Sequence, residues 1–244
     1  MQRRRVLVTR AAEDAPALVA ALEAAGYEAV LLPLIARQRV LNENLCWPDV
    51  APDWIVTTSP AATEALQAAC LRHPTAHVAV VGETSAKAAR AAGIVPTLVG
   101  SGAGAAALLD ALDAAKLLDA SRDARVVLWL RGDRALPDLR DGLRARGALV
   151  EELVVYATQL LQPARAAVHQ ALQRLHATVF TSPSTVEALV AAGPTLADCG
   201  LTIASGAATA AALAQAGFSR TIQASGPSPH ELVEALVGAS KHSP

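Results

Sequence analysis

The chain has 244 residues, 52% hydrophobic and 18% charged, with 21 Lys and Arg against 22 Asp and Glu. That length suits two cores of about 100–150 residues each, and a net charge of −1 supplies no basic field for nucleic acid. Two Phe and two Tyr leave little for base stacking, and no apolar run approaches the ~18 residues of a membrane span.

The start, "MQRRRVLVTR", is basic, but its apolar run covers only Val6 to Val8, so it reads as a strand rather than a signal peptide. In chain order, strand 6–9 leads to helix 12–25 and strand 28–32. An extended exit, "LPLIARQRVLNENLCWPD", precedes strand 53–57, helix 60–71, strand 77–81, helix 84–92, strand 95–99 and helix 104–118. Strand 125–130, helix 135–146 and strand 149–155 follow. A second extended exit, "VVYATQLLQP", leads to helix 164–175, strand 177–181, helix 184–192, strand 201–204, helix 207–216, strand 220–223 and helix 228–238. Strands alternating with helices predict an α/β fold of parallel sheets covered on both faces, in two doubly wound domains of flavodoxin-like size. Cys46, Cys70 and Cys199 are widely spaced and form no CxxC, which suits a reducing cytosol, so a cytoplasmic protein is expected.

The chain repeats itself. "VTTSPAATEAL" from Val56 returns as "VFTSPSTVEAL" from Val179, an offset of 179 − 56 = 123. "VLVTRAAEDAPALVAALEAAGYEAVLLPLI" matches "VLWLRGDRALPDLRDGLRARGALVEELVVY" without a gap, Arg10 meeting Arg131 (131 − 10 = 121). "VGETSAKAARAAG" matches "SGAATAAALAQAG", Ser85 meeting Thr209 (209 − 85 = 124), and "SGAGAAALLDAL" matches "SGPSPHELVEAL". Such constant offsets argue for duplication. The two extended exits lie at matching points of the copies. This predicts a discontinuous lobe of residues 1–35 plus 162–244, linker strands at 36–52 and 156–161, and a second lobe of 53–155, with ligand in the cleft between lobes.

Ser59-Pro60 and Ser182-Pro183 read as helix starts, a serine cap followed by proline in the first turn. Ser184 and Glu187 also spell a capping box. Capping alone can explain these turns. They nevertheless sit at carboxyl ends of parallel strands, where α/β proteins bind ligands, and helix N-termini hold carboxylates and phosphates. Ser85 and Thr209 stand in matching places after glycines and carry the same two readings. Arg10 and Arg131 end the first strand of each copy and are either solvated charges or carboxylate clamps. Gly100, Gly102 and Ala105 nominally fit a dinucleotide fingerprint, but the spot comes late in its domain and its repeat partner loses the pattern, so small-residue packing is the better reading. Six histidines show no ligand spacing, so no metal set and no His-based triad is expected. Tyr156 lies at the second exit, where its repeat counterpart is Ile35. It is either a core aromatic with a wet tip or a phenol able to give a proton to a leaving group.

Together "VLVTR", "VTTSPAATEAL", "VVGETSAKAARAAG", "LRGDRALPDLRDGLRARGALVEELVVYAT", "FTSPSTVEALVAAG" and "GAATAAALAQAGF", in that order and spacing, resemble the uroporphyrinogen-III synthase family over nearly the whole chain. The resemblance implies two α/β lobes joined by a two-stranded ladder. It implies conversion of hydroxymethylbilane, a linear tetrapyrrole with eight carboxylates, to uroporphyrinogen III and water, without metal or organic cofactor. The terminal hydroxyl leaves, ring D attacks through its substituted carbon, and a spiro intermediate fragments and recloses with ring D inverted. By position the resemblance assigns hydroxide loss to Tyr156. It sets substrate contacts at Ser85 and Thr209, where the family commonly has threonine at the first, and places Ser182 and Ser184 in a serine-rich turn. Arg10, Ser59 and Arg131 complete the candidate binding set, and a monomer is implied. Two other readings stand beside this one: a non-catalytic two-lobed module for a small polyanion, in which Tyr156→Phe is harmless, and a nucleotide-dependent enzyme using Gly100, Gly102 and Ala105.

Overall fold

A computed structural model describes residues 3–40, 47–101, 104–115, 125–193 and 196–241. Strand β1 (Arg5–Val8) is followed by α1 (Pro16–Ala24), β2 (Glu28–Leu31) and β3 (Ile35–Arg39). Then come β4 (Trp54–Thr57), α2 (Thr63–Arg72), β5 (His77–Val81), α3 (Gly82–Ala91), β6 (Leu98–Gly100) and α4 (Gly104–Ala114). Next are β7 (Val126–Gly132), α5 (Asp138–Ala145), β8 (Leu149–Leu160), α6 (Arg165–Leu172) and β9 (Leu175–Phe180). The chain continues through α7 (Pro183–Ala191), β10 (Leu201–Ala204), α8 (Ala207–Gln215), β11 (Thr221–Gln223) and α9 (Pro229–Lys241).

These elements form two compact units, Met1–Ala36 with Gln159–Pro244, and Arg37–Thr158. The discontinuous unit holds a five-stranded sheet in the order β11-β10-β9-β1-β2, parallel throughout. Its strands are apolar without alternation because both faces are covered. Leu7, Phe180 and Ala204 pack under α6, α7 and α8 through Val168, Leu172, Val186, Leu189 and Leu213. Val6, Val8, Val179 and Ile203 point the other way, onto Leu18 and Leu22 of α1 and Leu232 and Leu236 of α9. The apolar surface buried on each face, at about 25 cal/mol per Å², is the main force holding such a layer together.

The continuous unit has the order β3-β8-β7-β4-β5-β6. The pairs from β8 to β6 are parallel. Trp54, Val56, Val127 and Trp129 face α4 and α5, while Ile55, Val80, Leu128 and Leu130 face α2 and α3. β3 runs against β8, since the Val40 amide donates to Val155 O and the Leu161 amide to Leu34 O, at 3.0 and 2.8 Å.

Several helices, α1, α3, α5, α7 and α8, stop where the sequence supplies a left-handed glycine. Gly26, at φ 87°, follows α1. Its amide donates to Glu23 O and that of Tyr27 donates to Leu22 O, the two bonds of a Schellman motif. Its repeat counterpart Gly147 ends α5 with the same pair of bonds.

Some element bounds differ from expectation. The linker strand expected at 36–52 begins one residue earlier, as β3 from Ile35, and lies beside β8. The strand expected at 149–155 and the linker strand expected at 156–161 are one continuous strand, β8. α5 starts at Asp138 rather than 135, because Ala135 closes a turn onto Gly132 O and Pro137 occupies the cap position. The expected helix end at 116–118 lies outside the described residues.

Candidate functional site

In each parallel sheet the carboxyl ends of the strands lead into helix N-termini. After β4, Ser59 is the cap residue of a 3-10 turn that runs into α2, and its Oγ accepts the Ala61 amide at 3.2 Å. Ser85 lies in the first turn of α3 and is 4% exposed. In the other unit Ser182 caps α7, its Oγ accepting the Thr185 amide at 3.4 Å. Thr209, in the first turn of α8, sits 3.3 Å from Ser205 across a hydroxyl pair in which either can donate. The cap of α7 is thus Ser182 and not Ser184. Ser184 is buried inside the first turn, one residue after Pro183. Capping uses only one lone pair of Ser59 and Ser182, so each hydroxyl keeps a proton to donate to an anion.

α2 and α3 cover the same face of their sheet, so Ser59 and Ser85 share a face. Tyr156 packs against that face too. It gets there through an irregularity in the β7–β8 ladder, where Arg131 pairs with Val154 but Gly132 pairs with Tyr156. The extra residue breaks the period of two, so Val155 and Tyr156, though consecutive, both pack on the same core. The Asp133 amide donates to Tyr156 O at 3.0 Å, and Asp133 Oδ1 accepts the Thr158 amide at 2.9 Å. The Arg37 guanidinium carbon stands 5.8 Å from the centroid of the Tyr156 ring, within range of a cation–π contact.

Arg131 alternates to the opposite face. Its guanidinium lies over the Trp129 ring, at 5.7 Å from the centroid. Its Nε is 2.8 Å from Glu152 Oε2, in the geometry of an ion pair rather than an aligned hydrogen bond. Its NH1 donates to Gly132 O at 3.0 Å. The structure therefore puts Tyr156, Ser59 and Ser85 on one face of the sheet and Arg131 on the other, already engaged by a carboxylate. Arg10 follows β1 in the other unit and is half-buried.

Gly100 lies against the backbone of α4: a Cβ there would meet Ala107 C and O and Leu108 Cα at 3.2 Å. The glycine thus permits close strand–helix packing, and Gly102 of the nominal fingerprint lies outside the described residues, as does Cys46. A cavity of about 870 Å³ opens beside α6 and α7, lined among others by Arg165, Val168, His169, Leu172 and Arg174, but by none of the strand-end turns. Among the described residues no cluster of three or more His, Cys, Asp or Glu is placed to hold a metal, and no helix is long and apolar enough to cross a membrane.

Sequence reasoning missed Gly132, Arg37 and Asp133 around Tyr156. The usable signal for Gly132 was a departure from the repeat, since the first copy has Ala11 at that place (132 − 121 = 11).

Parallel doubly wound sheets with polar turns at their strand ends define an α/β protein of the kind that binds ligands at those ends. The chain belongs to the uroporphyrinogen-III synthase family: the model of uroporphyrinogen-III synthase HemD matches residues 16–234. This is a family of cyclising lyases in heme biosynthesis, acting on a tetrapyrrole. The chain is similar in fold to the uroporphyrinogen-III synthetase of Helicobacter pylori, with TM-score 0.66 and 18% identity over 98% of this chain and 100% of that one. It is also similar to a mutant uroporphyrinogen III synthase of the extremely thermophilic bacterium Thermus thermophilus, with TM-score 0.59 and 21% identity over 98% and 100% of the two chains. No curated protein sequence matches it significantly.

Proposed function

We propose that the chain cyclises hydroxymethylbilane to uroporphyrinogen III, with Tyr156 giving the proton on which the terminal hydroxyl departs as water. The observation that carries this reading is the placing of a phenol on the same face of one sheet as the α2 and α3 N-termini. The phenol has a donor proton, and the neighbouring turns offer amides and hydroxyls to carboxylates. Ring D then attacks through its substituted carbon, and the spiro intermediate fragments and recloses with ring D inverted. The untemplated reaction gives the symmetric isomer, so the protein's task is to hold the chain folded for the other transition state. Ser59 and Ser85 in one unit, and Arg10, Ser182, Ser184 and Thr209 in the other, take carboxylates of the substrate. Arg131 joins them by exchanging Glu152 for a substrate carboxylate.

The strand orders support a duplication beneath this arrangement. Numbered along the chain, the discontinuous unit reads 2-1-3-4-5 from β2 to β11, the flavodoxin-like order. If β7 and β8 are matched to β1 and β2, as the sequence repeat requires, β8-β7-β4-β5-β6 reads 2-1-3-4-5 as well. In this reading β3 and the end of β8 are the linker ladder between two flavodoxin-like lobes. The molecule works as a cytoplasmic monomer without a cofactor.

The test is product isomer composition. Hydroxymethylbilane generated in situ, incubated with the protein and oxidised, should give predominantly type III uroporphyrin on chromatography, with Tyr156→Phe slowing its formation at least tenfold. Type I alone, at the rate without protein, sinks the synthase reading and moves the polyanion-binding module to the front.

A further inference from the structure

We infer that Gly132 and Arg37 are positioning residues that fix the Tyr156 phenol; this rests on the reading of Tyr156 as the proton donor. A Cβ added at Gly132 would fall 2.5 Å from Tyr156 Cε2, 2.7 Å from Cζ and 2.9 Å from the hydroxyl oxygen. The reactive end of the ring therefore lies directly on the Gly132 backbone. Carbon atoms rest at about 3.5–4.0 Å, so even a methyl group at position 132 must drive the ring away by about 1 Å. Gly132 is buried and paired with β8, and β4 pairs the same strand up to Leu130, so the ring rather than the strand must give way.

Arg37 approaches the ring at 5.8 Å from its centroid. A guanidinium attracted to a ring's π density resists its rotation away from the bed that Gly132 provides. The repeat supplies an independent indication. The two partners in contact, Gly132 and Tyr156, are both departures from the first copy, which has Ala11 and Ile35 at the corresponding places (132 − 121 = 11 and 156 − 121 = 35). A large ring replaces an aliphatic side chain at one member of the pair, and the other member loses its Cβ.

Misplacing a catalytic group by about 1 Å costs on the order of 10²-fold in rate. Gly132→Ala should therefore lower kcat for type III formation by about as much as Tyr156→Phe does. In the Tyr156→Phe background, Gly132→Ala should cost no further activity, because there is no hydroxyl left to misplace. A spectroscopic readout separates position from activity. The chain has two tyrosines, Tyr27 and Tyr156, so 3-fluorotyrosine labelling gives two ¹⁹F resonances, assigned by Tyr27→Phe. Gly132→Ala and Arg37→Gln should each shift the Tyr156 resonance and leave that of Tyr27 in place. Arg37→Gln should lower kcat several-fold with KM little changed, and Arg37→Lys should restore part of the loss.

An unshifted Tyr156 resonance in either variant overturns the inference for that residue. Equal losses from Gly132→Ala in the wild-type and Tyr156→Phe backgrounds overturn it too, since Gly132 would then act apart from the hydroxyl. If Tyr156→Phe is fully active, the proton-donor reading fails instead, whatever the resonances do. Should Gly132→Ala fail to fold, the Arg37 variants carry the test on a half-buried strand position.

Discussion

Gly200 and Gly26 both sit in the left-handed region, at φ 63° and 87°, but in different surroundings. A Cβ at Gly26 meets nothing within 4 Å, whereas at Gly200 it would fall 2.6 Å from His176 O, 2.9 Å from its carbonyl carbon and 3.2 Å from Ala177 N. Alanine at either position bears the cost of the left-handed conformation, about 1–2 kcal/mol, partly offset by the reduced freedom of the unfolded chain. Only Gly200→Ala adds a collision, and the colliding atoms are the backbone of β9, which cannot rotate aside. Overpacking of that kind costs about 1–3 kcal/mol more. We expect Gly26→Ala to destabilise by about 1 kcal/mol and Gly200→Ala by about 2–4 kcal/mol. Both residues lie in the discontinuous unit, so they report on the same unfolding transition. With a urea m-value of about 2 kcal/mol/M, the midpoints of the two variants should differ by about 0.5–1.5 M, with Gly200→Ala the lower. Coincident midpoints would refute the reasoning, because the left-handed cost would then account for both.

The capping box of α9 should be visible in pH dependence. Hydrogen bonds from the Ser228 hydroxyl and amide hold the Glu231 carboxyl below its usual range. A depressed carboxylate contributes stability above its unfolded pKa of about 4.3 and loses it as pH falls through the folded value. Ser228→Ala should therefore cost about 1 kcal/mol at pH 7, and the gap in Tm between variant and wild type should narrow as the pH is taken down through the acid range, leaving the part due to the Glu231 amide donating to Ser228 Oγ; a gap that does not change with pH would contradict the account. Cys199 is fully buried, and desolvation, with Asp198 adding to it, pushes its thiol up to about 11. Peptide mapping after maleimide treatment at pH 8 should find Cys199 unmodified in the native protein and modified in urea; native modification as fast as that of half-buried Cys70 would show that the site opens.

Much of the α/β layering was legible in the sequence, because strands buried on both faces are written as unbroken apolar runs and Schellman glycines mark the helix ends. The extended exits were legible from their matching places in the repeat, but the bounds of β3 were not, since "IARQR" carries no apolar pattern and is held as a strand by its place beside β8. The cap positions of Ser59 and Ser182 follow from the proline after each. Ser184 also matched a capping pattern, and only the backbone shows that the helix has already begun there. Arg131 looked like a strand-end clamp, but its ion pair with Glu152 depends on the register between β7 and β8. The bed under Tyr156 was hidden for the same reason: a glycine 24 residues away in sequence (156 − 132 = 24) becomes its neighbour only through a break in the ladder's register.

The sheet of the discontinuous unit places β1, from the start of the chain, beside β9, with Val8 opposite Val179. A nascent chain emerges at about 5–20 residues per second, so β1 waits on the order of ten seconds or more for its inner neighbour. Until then the apolar edge of the β1–β2 pair is open to solvent and to other nascent chains, the situation in which strand edges aggregate. Arg37–Thr158 is synthesised within that interval and contains all the strands of its own parallel sheet. Synthesis therefore completes the inserted unit first and the unit that encloses it in sequence last.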